Sequence, residues 1–113
     1  MAINRDEVSF DVFIENEEEG PEGWMDDDLV AVVREAMEHC EWAWCAVTVV
    51  AELNGFKGYA YLGGCSYKSE KDFTEAGGYY DDLCDEAYED LVRAVEETRT
   101  RLVALEYIEA VGS

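Results

Sequence analysis

The fold is decided by the stretch from Trp42 to Gly64, which reads WAWCAVTVVAELNGFKGYAYLGG. Its first half is rich in β-branched and aromatic residues, which favour strands. Asn54-Gly55 then interrupts the pattern before Phe56 resumes it, and Asn-Gly is the strongest short-range signal for a two-residue type I′ turn. The stretch therefore predicts a β-hairpin whose register is set by this turn.

One face of the predicted hairpin is apolar, and the other carries favourable cross-strand pairs. Counting back from the turn, the apolar face pairs Leu53 with Phe56, Ala51 with Gly58, Val49 with Ala60 and Val47 with Leu62. The other face pairs Glu52 with Lys57, Val50 with Tyr59 and Thr48 with Tyr61. One opposite-charge pair and two pairs of a β-branched residue with a tyrosine support this register.

Upstream of the hairpin the sequence predicts one strand and one helix. Val8, Phe10, Val12 and Ile14 alternate with Ser9, Asp11, Phe13 and Glu15, which is the period of a half-buried strand. After an acidic loop that contains Gly20-Pro21, Asp26 to Asp28 supply the cap and first-turn acids of a helix from about Asp27 to His39. Its apolar stripe, which we expect to face the core, is Leu29, Val32, Val33, Ala36, Met37 and Cys40.

Downstream of the hairpin the sequence predicts a long amphipathic helix. Gly63-Gly64 ends the hairpin, Ser69 to Phe73 fit one capped helical turn, and Gly77-Gly78 break the chain. From Tyr80 onward one face stays apolar with a 3.6-residue period for about seven turns. Its members are Leu83, Ala87, Leu91, Ala94, Val95, Thr98, Leu102 and Leu105.

These elements predict the fold class α+β with the order β-α-β-β-α. A three-stranded, mainly antiparallel sheet and two amphipathic helices satisfy one another if both helices pack on one face of the sheet. The length of 113 residues fits one domain spanning residues 1–113. No apolar run approaches the length of a membrane span, and no signal-peptide pattern opens the chain, so we expect a soluble intracellular protein.

The net charge is the strongest indication of function. The chain has 28 Asp and Glu against 8 Lys and Arg, a formal charge of −20, yet 49% of its residues are hydrophobic. That apolar content is enough for a folded core, so the acidic residues must lie on a folded surface. Such a surface repels nucleic acid and anionic membranes, and we therefore expect a strongly basic protein partner.

Two groups of acidic residues are the candidate partner-binding residues. On the long helix, Asp82, Asp85, Glu89 and Glu96 lie opposite Ala87, and Asp81 and Glu86 flank them. The loop and helix start contribute Glu17, Glu18, Glu19, Asp26, Asp27 and Asp28. Carboxylates on a rigid surface can imitate the phosphates of a duplex, which is DNA mimicry. The alternative is an ordinary solvated face, since the dipole of a helix favours acids in its first turns.

Aromatic residues form a second candidate surface. Tyr59 and Tyr61, with Phe13 and Trp44, are predicted on the sheet face away from the helices. They are either partly solvated cross-strand pairs or the interface of a homodimer or a partner complex. Base stacking is disfavoured because basic residues are absent around them.

Enzyme signatures are absent from the sequence, which predicts no catalytic residues, cofactor or metal. It contains no GxGxxG, P-loop, GxSxG or HExxH motif. We expect Cys40, Cys45, Cys65 and Cys84 to be free thiols, because a chain without a signal peptide is expected in a reducing compartment. Their spacing also does not fit a zinc site. His39 beside Cys40 is read as a surface residue near a helix end rather than as a catalytic base.

Four segments resemble a group of small acidic proteins encoded by bacteriophages and prophages. They are Trp42-Ala43-Trp44-Cys45, Asn54-Gly55-Phe56, the run YLGGCSY from Tyr61 to Tyr67 and the run GGYYDD from Gly77 to Asp82. The resemblance covers about residues 42 to 90. It implies a protein of the host bacterial cytoplasm that acts as an anti-CRISPR or anti-restriction inhibitor.

The sequence thus leads to one hypothesis and one alternative. The hypothesis is a non-enzymatic inhibitor, with anti-CRISPR activity foremost, that occupies the basic nucleic-acid channel of a host defence protein. The alternative is a small structural or regulatory phage protein that binds a partner or forms a homodimer through Tyr59 and Tyr61.

Overall fold

The chain folds into a three-stranded antiparallel sheet with helices, which confirms the α+β class. The computed structural model describes residues 3–75 and 78–112; Gly77, predicted to break the chain, lies outside them. The elements are β1 (Ser9–Asn16), α1 (Asp27–Met37), β2 (Cys45–Leu53), β3 (Phe56–Cys65), α2 (Glu70–Glu75) and α3 (Tyr79–Gly112), with 3₁₀ turns at Arg5–Glu7 and Glu41–Ala43. The predicted order is thus confirmed, and the helical turn predicted from Ser69 to Phe73 corresponds to the short helix α2.

The sheet has the strand order β1-β2-β3, and the predicted hairpin register is confirmed. All seven predicted pairs of β2 and β3 are present, from Leu53–Phe56 to Val47–Leu62. Asn54 and Gly55 adopt φ values of 50° and 87°, the two positive values that a type I′ turn requires. β1 pairs with β2 so that Phe10, Val12 and Ile14 share the face of Val47 and Val49.

The core lies between the sheet and the helices α2 and α3. Phe73 of α2, Leu91 of α3, and Val47 and Val49 of β2 are all fully buried. Trp42 stacks on Phe73 with ring centroids 5.6 Å apart. α3 therefore covers one face of the sheet, and Phe73 of the short α2 completes the core beside it.

The prediction that α1 covers the sheet together with the long helix is not met. α1 packs mainly against the 3₁₀ turn at Glu41–Ala43 and has no buried residue. Leu29 and Val32 of its apolar stripe are 54% and 63% exposed. The N-terminal residues complete the helical layer instead, since Val8 is buried and the hydroxyl of Tyr88 donates to the carbonyl of Ile3 at 3.0 Å.

α3 extends well beyond the body of the protein. Its 34 residues correspond to about 50 Å of helix, whereas the longest strand, of ten residues, spans about 33 Å. The molecule measures 70 × 27 × 19 Å. Every side chain from Arg99 to Ile108 is exposed. We call residues 79–92 the acidic half of α3 and residues 93–108 its distal half.

Candidate partner-binding surface

The acidic half of α3 carries a dense run of negative charge on a single long helix. Residues 79–92 include six Asp and Glu and no Lys or Arg. Of the six, Asp81, Asp82, Asp85, Glu86 and Glu89 are exposed. The opposite face supplies Leu83, Cys84, Ala87 and Leu91 to the core. The buried stripe therefore fixes the direction in which the carboxylates point.

Three of the predicted residues form one line along the helix. Asp82, Glu89 and Glu96 follow at intervals of seven residues, which puts them on one side and about 10 Å apart. All three are exposed. Arg93, also exposed, lies between Glu89 and Glu96, so the continuous acidic surface ends at Glu89.

Asp85 differs from its neighbours because it is neutralised within the protein. Arg5 Nη1 donates to Asp85 Oδ1 at 2.5 Å, and this bond raises the pKa of Arg5. The guanidinium of Arg5 also lies 5.5 Å from the ring centroids of Phe10 and Tyr88. Asp85 thus holds the N-terminal segment against α3 and is less available to a partner than Asp82 or Glu89.

Asp90 completes the acidic half but was not among the predicted site residues. Its Oδ2 accepts a hydrogen bond from the backbone N–H of Tyr59 at 2.9 Å. β3 is an edge strand, so this N–H has no partner strand on that side, and Asp90 supplies the missing acceptor. The role of Asp90 is structural.

Some acids of the β1–α1 loop hold the loop in place. Glu17 is half-buried, and its Oε2 accepts from the N–H of Gly64 at 2.8 Å. Glu22 forms two hydrogen bonds with Arg34, of 2.8 and 2.7 Å, and they lower the pKa of Glu22. Glu18 and Glu19 remain exposed.

The start of α1 places three further candidate acids at the surface. Asp26 occupies the N-cap position, but its side chain makes no capping hydrogen bond. Asp27 and Asp28 form the first turn, and all three residues are exposed. They interact favourably with the positive end of the α1 dipole.

The first acids of the β1–α1 loop lie on a different face of the sheet from α3. Glu15 projects from the sheet face opposite α3, in the alternation that also exposes Phe13. Desolvation raises the pKa of Tyr61 on that same face, and the nearby carboxylates of Glu17, Glu15 and Glu18 raise it further. Glu17 and Glu18 therefore lie near the open face of the sheet, whereas α3 packs on the other face.

The open face of the sheet carries three of the four predicted aromatic residues. Phe13, Tyr59 and Tyr61 are 54%, 54% and 61% exposed, and Phe13 and Tyr61 flank Thr48 across the three strands. The placement of Trp44 in this patch was wrong. Trp44 is buried because the β1–α1 loop folds over it, with its Nε1 donating to the carbonyl of Glu19 at 2.7 Å and Trp24 packed edge-on at 5.8 Å.

The four cysteines are free thiols, as expected. Cys45 and Cys65 are buried partners across β2 and β3. Burial raises the pKa of the Cys45 thiol to about 11 and also raises the pKa values of Cys65 and Cys84. Near neutral pH these three thiols carry little thiolate, the form that acts as nucleophile. His39 is exposed.

The described residues contain neither a metal-binding cluster nor a membrane-spanning helix. Among the side chains of residues 3–75 and 78–108, no group of three or more His, Cys, Asp or Glu could hold a metal ion. None of the helices in that part of the chain is long and apolar enough to cross a membrane.

Comparisons with protein-family models, curated proteins and solved structures gave no match. The resemblance to small acidic phage proteins therefore stays a prediction that depends on the four quoted segments. The geometry of the acidic and aromatic surfaces is the remaining basis for a functional proposal.

Proposed function

We propose that this protein is a non-enzymatic inhibitor that occupies the basic nucleic-acid channel of a host defence protein, with a CRISPR effector as the first candidate. The observation that carries the proposal is the acidic half of α3, which presents five exposed carboxylates from a rigid helix. Among the side chains that the structure describes, only Asp85 of these five has a basic partner within 4 Å.

The arrangement of these carboxylates supports binding to a cationic groove rather than general solubility. Like charges three or four residues apart on a helix each destabilise it by a few tenths of a kcal/mol. Asp82 and Glu86, and Glu86 and Glu89, are such pairs. A basic partner relieves this repulsion on binding, so the acids favour the complex more than they favour the free protein.

The shape of the protein agrees with this mode of binding. Its cross-section of 27 × 19 Å is comparable to the width of a nucleic-acid duplex. A groove that is open along one side can contact the exposed carboxylates of α3 without enclosing the full 27 Å width of the body. The choice of a defence protein as the partner follows from the resemblance to phage proteins.

The proposal is tested with charge reversals on the acidic half. Purified CRISPR effectors and restriction enzymes are screened for loss of DNA cleavage in the presence of the protein, and the affinity for an inhibited enzyme is measured. The variant Asp82→Lys/Glu86→Lys/Glu89→Lys should bind about 10- to 100-fold more weakly, since three exposed ion pairs contribute about 0.5–1 kcal/mol each. Asp85 and Asp90 are left unchanged because they hold the fold.

A matched control changes the same net charge elsewhere. Glu35, Glu38 and Glu41 are exposed and belong to neither candidate group. The variant Glu35→Lys/Glu38→Lys/Glu41→Lys should keep most of the affinity. Equal losses in both variants would mean that total charge, and not the acidic half of α3, determines binding.

A second candidate function is favoured by the open face of the sheet. Phe13, Tyr59 and Tyr61 form an exposed apolar surface on adjacent strands, and aromatic residues are enriched in the cores of protein interfaces. In this alternative the protein binds a partner or a second copy of itself through that face, and its acidity serves solubility.

A further inference from the structure

α3 packs on the sheet through one face, and the residue spacing of this face continues unchanged beyond the sheet. Cys84 and Leu91 are buried against the body, and Tyr88 and Val95 pack at its margin. The same face continues as Thr98, Leu102 and Leu105. Together these residues follow spacings of four and three from Cys84 to Leu105, the heptad spacing of helices that pair with other helices.

From Leu102 onward this face is exposed. Leu102 and Leu105 are 56% and 55% exposed. An apolar groove of about 640 Å³ opens where α3 leaves the body, between Ile3 and Phe56 on one side and Val92, Val95 and Leu102 on the other. An apolar helix face that continues from such a groove is the geometry that another helix fills.

The charge of the distal half points to a second copy of the chain as the occupant. Residues 93–108 contain three Arg and three Glu, a net charge of zero, on a protein of charge −20. A second acidic molecule is repelled at the acidic half of α3 but not here. Three of the eight basic residues of the chain lie in this segment.

We propose that the distal halves of two copies pair as antiparallel helices. An antiparallel arrangement puts the two acidic bodies at opposite ends of the dimer, where their repulsion is smallest. In a register that places Leu102 opposite Leu105 of the second copy, Arg99 and Glu106 of the second copy flank the same side of the seam, offset by two residues or about 3 Å along the axes. Within one chain Arg99 and Glu106 are seven residues and about 10 Å apart along the helix, too far for a direct ion pair.

The proposal is tested by sedimentation equilibrium and light scattering over a range of concentrations. The wild type should be a dimer, and Leu102→Glu should be a monomer with unchanged circular dichroism, because the side chain is exposed and does not belong to the core cluster. Thr100→Glu adds the same charge on the other side of the helix and should remain a dimer.

A charge swap tests the register. Arg99→Glu and Glu106→Arg should each weaken the dimer at least several-fold, and the double variant should restore it. A monomeric wild type, or a Leu102→Glu variant that remains dimeric, would overturn the proposal. These readouts need no effector, so they stand apart from the proposed inhibitory function.

Discussion

At the scale of single residues, Gly58 determines how closely α3 approaches the sheet. A Cβ atom at this position would overlap the backbone of Ala87 and Leu91. Asp90 binds the neighbouring N–H of Tyr59 only at this short distance. One glycine therefore fixes the helix against the edge strand, and with it the direction of the acidic half.

Gly58→Ala should lower the free energy of unfolding by about 1–3 kcal/mol, the cost of forcing extra volume into a packed interface. The measurement is urea denaturation followed by circular dichroism. Gly63→Ala, on the same strand, is the matched control and should lose less stability, since its Cβ would come closer than 3.0 Å only to Glu17 Oε2, and the shift would cost at most the hydrogen bond of that carboxylate to Gly64. Equal losses at both positions would contradict the close contact of α3 with β3.

At the scale of elements, the open face of the sheet provides the test of the second candidate function. Tyr59→Ser/Tyr61→Ser should leave the dimer and the inhibition unchanged, because both are assigned to α3. The double variant removes two exposed rings and few core contacts, so the fold should persist. Light scattering and the cleavage assay measure both properties. A shift from dimer to monomer in this variant would assign self-association to the sheet.

The β2–β3 hairpin could be predicted from the sequence because the residues that determine its register are close together in the chain. Asn54-Gly55 fixes the turn, and the turn fixes every pair of β2 with β3. The position of α1 could not be predicted in this way. Its apolar stripe suggests a place on the sheet, but Ile3 and Val8, in a segment without helical periodicity, complete that layer.

The acidic residues of the candidate surface could be predicted from the sequence, but the ion pair that one of them forms within the protein could not. The helical periodicity of α3 predicted its exposed acidic residues correctly, because the burial of Ala87 and Leu91 fixes the orientation of the helix. The ion pair of Asp85 joins residues 80 positions apart, which no periodicity indicates. The projecting distal half could have been anticipated, because the apolar stripe is longer than any strand that it could cover.

At the scale of the whole molecule, the two halves of α3 differ in net charge. The acidic half lies on the body and is suited to a basic partner, while the neutral distal half is suited to a second copy. Two copies joined through their distal halves would present two acidic surfaces at opposite ends. Binding of the basic partner and self-association then use separate parts of one helix.

The most direct test of the central claim is a competition between this protein and duplex DNA for one purified effector, repeated at increasing salt concentration. The account predicts that DNA and this protein exclude each other. It also predicts that the affinity for the effector falls steeply as salt rises, because exposed ion pairs are screened within about 10 Å at 0.1 M. A ternary complex that retains DNA, or an affinity that does not depend on salt, would contradict it.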